Sequence, residues 1–293
     1  MDLFAADPHW GWWIILYFFL GGIAAGSYFT STLIELFGAE EDRALVRAGY
    51  LLAFPLILIC AVFLIVDLNY PARFWHMLFD SETGMPHIRW GSPMSVGSWA
   101  ISLFGFCALV SFMASCREQG IVARWHASRA IGQPLRVVGC AVGFFVAAYT
   151  GALLTATNQP IWSNTTWIAA LFLTSAASTG IAAILLLARR QASTATLARL
   201  ERADRSVLLL ELVVFVVFLI SLGSLLGPLV GTVSGQVLIG GTLVLGVLVP
   251  LVLHFRCGLQ GACGVATAVF VLLGGFLMRW AILSAPPELL AGG

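Results

Sequence analysis

Long apolar runs dominate this chain, and short polar or charged breaks separate them. Each run has about twenty residues, the length that an α-helix needs to cross the ~30 Å hydrocarbon core of a bilayer. The eight runs cover residues 12–37, 46–67, 93–115, 134–157, 163–188, 206–224, 235–255 and 263–283. The pattern therefore predicts an all-α integral membrane protein with eight transmembrane helices and both termini on one side.

The composition agrees with a membrane environment. The chain is 60% hydrophobic and 10% charged, with a mean hydropathy of +0.96, whereas soluble domains are about half apolar and a quarter charged. Asp2 and Asp7 precede the first run in place of a basic segment, and that run is too long for a secretory signal, so it is expected to be retained. Membrane lipid is the expected surrounding, and no nucleic-acid partner is expected.

The arginines predict the orientation, because short cytoplasmic loops carry an excess of positive charge. Three arginines fall on the side of the termini, at positions 73, 89 and 279. Twelve fall on the other side, at positions 43, 47, 117, 124, 129, 136, 189, 190, 199, 202, 205 and 256. The arginine-rich loops are therefore expected in the cytoplasm. Both termini would then be periplasmic, in the inner membrane of a bacterium.

Residues 68–92 form the one sizeable connection on the side of the termini. The stretch VDLNYPARFWHML at its start places Asp67 and Arg73 close together, and the simplest reading is an ion pair within the loop. The connection also carries several aromatic side chains: Tyr70, Phe74, Trp75 and Trp90. Such side chains form interfacial belts at membrane surfaces, or here a docking surface for a partner, to which Arg73 would contribute.

Histidines and cysteines argue against a cofactor bound by metal ligation. A membrane cytochrome b needs paired histidines on facing helices, and of five histidines only His254 lies within an apolar run. The six cysteines contain no C-x-x-C motif, and four lie inside apolar runs, which favours buried small side chains over metal ligands. We therefore expect neither haem nor metal in this chain.

Ionisable residues in apolar runs are costly and mark candidate functional sites. Glu35, Glu211 and His254 lie near the arginine-rich ends of their runs. The two glutamates could form interfacial ion pairs with Arg43, Arg47 or Arg205, or these three residues could transfer protons at a cytoplasmic entry. No charged group is expected to bridge the middle of the membrane.

Other polar residues gather at the opposite end. Tyr149 is eight residues before Thr157, which places its phenol roughly 12 Å below that surface, where its hydroxyl needs a partner. Ser92 is a plausible N-cap for the third helix, with Pro93 at its first position. Capping does not explain Ser95 and Ser98, which follow at the top of an apolar helix.

Four stretches in order resemble the polysulfide reductase membrane-subunit family, also called NrfD-like. They are HWGWWIILYFFLGGIAAGSYF, DLNYPARFW, SPMSVGSW and YTGALLTATNQPIW. The resemblance extends over all eight runs and implies two four-helix bundles, here residues 1–160 and 161–293. It implies a haem-free anchor that exchanges electrons between membrane quinone and a separate iron–sulfur subunit, with a molybdopterin catalytic subunit beyond it.

The resemblance also implies a quinone pocket in the first bundle. His9 and Tyr149 match the residues that contact the quinone head, Asp67 matches an acid at the end of the second helix, and Ser92 and Ser95 face the pocket by analogy. Glu211 loosely matches an acid of the second bundle that is linked to proton movement. The chain alone would hold no complete active site for the terminal substrate.

Two alternatives from other classes stay open at this point. A proton- or solute-translocating transporter would place broken helices and polar groups at mid-membrane, often with inverted repeats. A purely structural anchor would leave the quinone to another subunit. The clustering of polar groups at the two faces favours the redox subunit.

Overall fold

The computed structural model describes residues 10–80, 83–116, 121–258 and 261–291, and this part of the chain is helical throughout, apart from turns and one isolated bridge between Phe79 and Pro86. The α-helices are α1 (Trp12–Phe37), α2 (Arg43–Val66), α3 (Pro93–Cys116), α4 (Ile121–Ala127), α5 (Gly132–Thr155), α6 (Trp167–Ala188), α7 (Thr194–Ser221), α8 (Leu226–Val230), α9 (Val233–Gln236), α10 (Val249–Cys257) and α11 (Gly261–Ala291). A π-helical segment, Val237–Leu248, joins α9 to α10.

Seven helical segments of the described chain are long and apolar enough to cross a membrane. They are Trp12–Phe37, Glu40–Val66, Pro93–Cys116, Gly132–Thr155, Trp167–Ala188, Val233–Cys257 and Gly261–Leu290. Thr194–Ser221 and Gly223–Val230 pass the same test only together, and they meet at an angle of 95°. The prediction of a multi-span helical membrane protein is confirmed, with seven spans, or eight if the bent pair is one span.

Helix α7 begins well before the position that the apolar pattern predicted. The pattern starts the sixth run near residue 206, whereas the helix starts at Thr194. Ser193 explains the early start, because its side chain accepts a hydrogen bond from the Thr196 N–H and so caps the first turn. The arginines at positions 199, 202 and 205 therefore lie on a helix and not in a loop.

Glycines bring α1 and α6 into backbone contact. A methyl group on Gly26 would overlap the Ala176 carbonyl oxygen, and one on Gly180 would overlap the Gly26 carbonyl carbon. Close approach of this kind is how small residues pack membrane helices. Gly22 instead makes room for the guanidinium of Arg279, 2.5 Å from where its methyl group would lie.

Two of the cysteines differ from the expectation of buried free side chains. Cys257 at the end of α10 and Cys263 at the start of α11 form a disulfide bond, because these helix ends bring their Cα atoms to 6.3 Å from each other. Cys60, Cys107 and Cys140 are free and buried, as the apolar pattern predicted. The fourth free cysteine, Cys116, is exposed at the end of α3.

Candidate functional site

A cavity of about 310 Å³ lies where α1 begins, α2 ends, α3 begins and α5 ends. This end of the molecule is opposite the arginine-rich connections. Its wall is largely apolar, with a few polar groups. The lining residues are Ile14, Tyr17, Ala61, Leu64, Ile65, Asp67, Leu68, Phe74, Met77, Leu78, Met94, Gly97, Ser98, Ile101, Ser102, Tyr149 and Leu153.

Asp67 and Tyr149, which the sequence reasoning placed at one site, both line this cavity. The Tyr149 hydroxyl donates a hydrogen bond to the Pro93 carbonyl in the first turn of α3. That contact is possible because α3 has a glycine there: a methyl group on Gly97 would overlap the Tyr149 hydroxyl oxygen. The buried phenol therefore has the hydrogen-bond partner that its depth requires.

Asp67 follows the last residue of α2 and reaches the edge of the cavity. Partial burial raises the pKa of its carboxyl above the ordinary value. No ion pair joins it to Arg73 within the described residues, so the reading of these two as a loop ion pair is wrong. The guanidinium of Arg73 lies instead 5.6 Å from the ring centroid of Tyr70.

Ser92 and Ser95 do not line the cavity. The Ser95 hydroxyl accepts a hydrogen bond from the Arg89 N–H at 3.2 Å, and the Ser92 hydroxyl accepts one from the Ser95 N–H at 3.5 Å. Both serines therefore fix the entry into α3. Ser98, one turn further along the helix, lines the cavity instead. His9 lies outside the described residues.

The connection after α2 exposes its aromatic side chains, as the sequence suggested. A 3₁₀ helix covers Pro71–Met77. Phe74 on this helix lines the cavity, whereas Trp75 lies beside His76 with ring centroids 3.8 Å apart. Trp90 is 80% exposed, just before α3. An exposed aromatic surface thus covers the same end of the molecule as the cavity.

Arg279 lies inside the protein and not on the side of the termini, where the charge count placed it. It is 1% exposed within α11. Its guanidinium donates hydrogen bonds to the carbonyls of Phe18 at 2.9 Å and Gly275 at 2.8 Å, and to the Ser175 hydroxyl at 3.3 Å. The sequence reasoning missed this buried charge. Two of the three partners are far away in the sequence.

Glu211 on α7 is a second buried charged residue of this interior. Its carboxylate accepts a hydrogen bond from the Ser178 hydroxyl at 2.6 Å. The predicted partner Arg205 lies elsewhere, 5.7 Å from the ring centroid of Phe255. His254, the neighbour of that phenylalanine in the chain, is hydrogen-bonded through its Nε2 to Asp204 Oδ2 at 2.7 Å, and both side chains are buried. Sequence reasoning missed Asp204, which lies in the part of α7 that the apolar pattern assigned to a loop.

Glu35 is also paired differently from the prediction. It accepts hydrogen bonds from Arg136 at 3.0 Å and from the Tyr50 hydroxyl at 2.6 Å, not from Arg43 or Arg47. It lines a polar cavity of about 670 Å³ at the arginine-rich end, together with Tyr50 and His126.

His126 is the histidine of this second cavity. Burial, and next the charge of Arg136, lower the pKa of His126 to about 4. Its ring bonds to the Ser111 hydroxyl at 3.1 Å. The ring is therefore neutral at ordinary pH, and it packs against Tyr50 with ring centroids 5.5 Å apart.

Within the described residues no three histidine, cysteine, aspartate or glutamate side chains are grouped so that they could hold a metal ion. The fold and the cavity define a helical, multi-span membrane protein with an apolar chamber near one membrane face and polar groups at the rim of that chamber. The family described as polysulphide reductase, NrfD, matches residues 5–287. The chain belongs to this family, which confirms the resemblance seen in its sequence.

Several named proteins are similar to this chain. It is 28% identical to a polysulfide reductase chain of Wolinella succinogenes over 190 residues, which are 61% of this chain and 57% of that protein. It is 30% identical to a selenate reductase subunit of Mesobacillus selenatarsenatis over 104 residues, 36% of this chain and 22% of that protein. Either match spans less than two thirds of the relative. The Haemophilus influenzae NrfD homolog is 25% identical over 94% of both chains.

Proposed function

We propose that this chain is the haem-free membrane subunit of a respiratory oxidoreductase and exchanges electrons between membrane quinone and a separate iron–sulfur subunit. Family membership supports a membrane anchor in a redox complex. The observation that carries the quinone assignment is the 310 Å³ cavity, where Asp67 and Tyr149 meet a largely apolar wall. Menaquinone and ubiquinone both present the required chemistry, a flat ring with two carbonyl groups and an isoprenoid tail.

The residues present fit such a head group. Pockets for small ligands are mostly apolar, with a few polar groups that fix the orientation, and Ile14, Leu64 and Ile101 supply such a wall. Bound quinone supplies two-electron, two-proton redox chemistry. Asp67, at the water-facing rim and with a raised pKa, can hold and release a proton there. The family resemblance assigns His9 to the quinone as well, and Ser92 and Ser95 act indirectly by fixing the start of α3.

We place the partner at the same end of the molecule. The exposed surface formed by Arg73, Phe74, Trp75 and Trp90 surrounds the cavity and suits a docked iron–sulfur subunit, with a molybdopterin catalytic subunit reached through it. Two of the relatives are named as parts of a polysulfide reductase and a selenate reductase, which supports a multi-subunit assembly. The arginine split supports a periplasmic location for this surface and for both termini, in the bacterial inner membrane.

The finer architecture is also proposed. With the bent α7 and α8 pair as one span, eight spans would form two four-helix bundles, residues 1–160 and 161–293. Glu35, Glu211 and His254 would transfer protons from the arginine-rich side. The polar cavity beside Glu35 supports this role. The buried hydrogen bonds of Glu211 with Ser178 and of His254 with Asp204 support it too.

One observation favours the second candidate, a proton- or solute-translocating transporter without a redox role. Arg279 and Glu211 are buried charges in the interior, and transporters bind their substrates among polar groups and broken helices inside the helical bundle. The 95° bend after α7 is a broken helix of this kind, although it lies at an end of the span. Purification in mild detergent separates the two: the redox subunit retains quinone and an iron–sulfur partner, and the transporter retains neither.

The cavity assignment is tested by filling it. Ala61 on α2 lines the cavity, whereas its neighbour Val62 is 50% exposed on the outside of the same helix. Ala61→Trp should therefore abolish quinone-coupled turnover of the purified complex and spare turnover with an artificial donor that bypasses this subunit. Val62→Trp is the matched control and should keep both activities. Wild-type quinone turnover in Ala61→Trp would show that the quinone binds elsewhere.

A further inference from the structure

Tyr17 on α1 is the one buried tyrosine of this chain whose hydroxyl has no hydrogen-bond partner within the described residues. The chain has five tyrosines. The other three buried hydroxyls are hydrogen-bonded: Tyr28 to Ser111, Tyr50 to Glu35 and Tyr149 to the Pro93 carbonyl. Tyr70 is 71% exposed and reaches water. Tyr17 is 2% exposed and makes aromatic contact with Phe18, with ring centroids 5.2 Å apart.

A buried phenol without a partner is unfavourable, since desolvation of a polar group costs roughly 1–3 kcal/mol when no hydrogen bond replaces water. The Tyr17 hydroxyl oxygen is not fully enclosed and keeps a small accessible area. Tyr17 also lines the 310 Å³ cavity. The small surface that Tyr17 keeps is thus directed to the cavity, so whatever satisfies its hydroxyl has to enter there.

The Tyr149 hydroxyl cannot meet the same need, because its proton is already donated to the Pro93 carbonyl. Only the lone pairs of its oxygen stay available. A quinone head carries two carbonyl acceptors and no donor. It can therefore accept a hydrogen bond from Tyr17 but none from Tyr149 while the Pro93 contact holds.

From these contacts we infer that Tyr17 donates a hydrogen bond to one carbonyl of a quinone-type head group, and that Tyr149 positions the first turn of α3 against it. This inference rests on the proposed function of the cavity. It identifies the ligand class by chemistry: a planar diketone that accepts hydrogen bonds and whose size suits a largely apolar chamber. Asp67, which lines the same cavity, would exchange protons with water there.

Sequence reasoning gave no reason to single out Tyr17. It lies in IILYFFLGG, a run in which nearly every side chain is apolar. Tyr28, eleven residues further along α1, is a matched control. It is a buried phenol on the same helix, but it bonds to Ser111 and does not line the cavity.

The test compares Tyr17→Phe with Tyr28→Phe in the purified complex. The probe is a short-chain quinone carrying ¹³C in its carbonyl groups, and the infrared carbonyl stretch reports hydrogen bonding to it. The wild type should bind it with one carbonyl band lowered in frequency, and Tyr17→Phe should lose that lowering and bind roughly tenfold more weakly, which corresponds to ~1.4 kcal/mol. Tyr28→Phe should keep both the band and the affinity.

Thermal unfolding without quinone supplies the second readout. Tyr17→Phe should be at least as stable as the wild type, because the hydroxyl it loses has no hydrogen-bond partner among the residues that the structure describes. A clear loss of stability would reveal a structural partner and overturn the inference. So would an unchanged carbonyl band and affinity in Tyr17→Phe. Neither result affects the cavity assignment, which fails separately if Ala61→Trp keeps quinone-coupled turnover.

Discussion

Replacing Arg279 by methionine should destabilise the protein more than any change at the surface. Methionine keeps a long unbranched side chain and removes the guanidinium with its hydrogen bonds to Phe18, Gly275 and Ser175. It also removes a buried positive charge from the interior that contains Glu211. Leaving a buried acceptor without its donor typically costs about 1–3 kcal/mol for each group. We expect a loss of this size in the free energy of unfolding.

The second half of this prediction is a double-mutant cycle. Glu211→Gln keeps the group that can accept from Ser178 and removes the charge. With the carboxylate replaced by a neutral amide, Arg279→Met should be milder, and the coupling between the two sites should be about 0.5–3 kcal/mol. Unfolding by denaturant in mild detergent, followed by tryptophan fluorescence, gives the four free energies.

Arg202 on α7 is the control for this cycle, because it is exposed at the arginine-rich end. Arg202→Met should change the free energy of unfolding by no more than about 0.5 kcal/mol. An Arg279→Met variant as stable as Arg202→Met would refute the reasoning. It would mean that the interior around Arg279 is hydrated enough to replace the guanidinium with water.

Three further predictions concern packing, pH and topology. Gly26→Leu should prevent folding in the membrane, because a side chain there overlaps the Ala176 carbonyl. Gly105→Leu on α3 should be tolerated, because a methyl group there meets nothing within 4 Å. The assay is the yield of monodisperse protein in detergent. Because the pKa of His126 is lowered to about 4 from 6.5, the unfolded chain binds a proton first on acidification, so the unfolding midpoint should fall as the pH drops from 6.5 towards 4. His126→Gln should flatten that profile, and an unchanged slope would disprove the assignment. A phosphatase fused within residues 116–136 or 189–206 should be inactive in the periplasm, and robust activity there would reverse the proposed orientation.

The sequence predicted well those features that depend on nearby residues. The bounds of α1 follow from an uninterrupted apolar run, and Asp67 and Tyr149 meet because the ends of α2 and α5 lie on one side. Helix α7 was placed too late because its first turns are charged and polar, and only the cap at Ser193 reveals them. A hydropathy pattern does not register such turns.

Arg279 and Tyr17 could not be predicted for a different reason. Arg279 is stabilised by the Phe18 carbonyl, 261 positions away, and by Ser175, 104 positions away. Tyr17 stands out only when the hydroxyls of the other tyrosines have been paired with their partners. Both depend on contacts between distant parts of the chain, which helix packing creates and local patterns do not encode. Ser98 was recognisable as unexplained by capping, but its cavity position needed the structure.

The contact between Gly26 and Gly180 has a consequence for synthesis of the protein. Helix α1 leaves the ribosome before α6. The α6 surface that packs against the groove at Gly26 is made more than a hundred residues later. At about 5–20 residues per second, α1 has to wait on the order of ten seconds in the membrane before α6 arrives. During that interval, lipid or a membrane chaperone has to cover the groove. An interruption of translation after α5 would leave a fragment with this surface open, and cellular quality control could recognise the fragment by it.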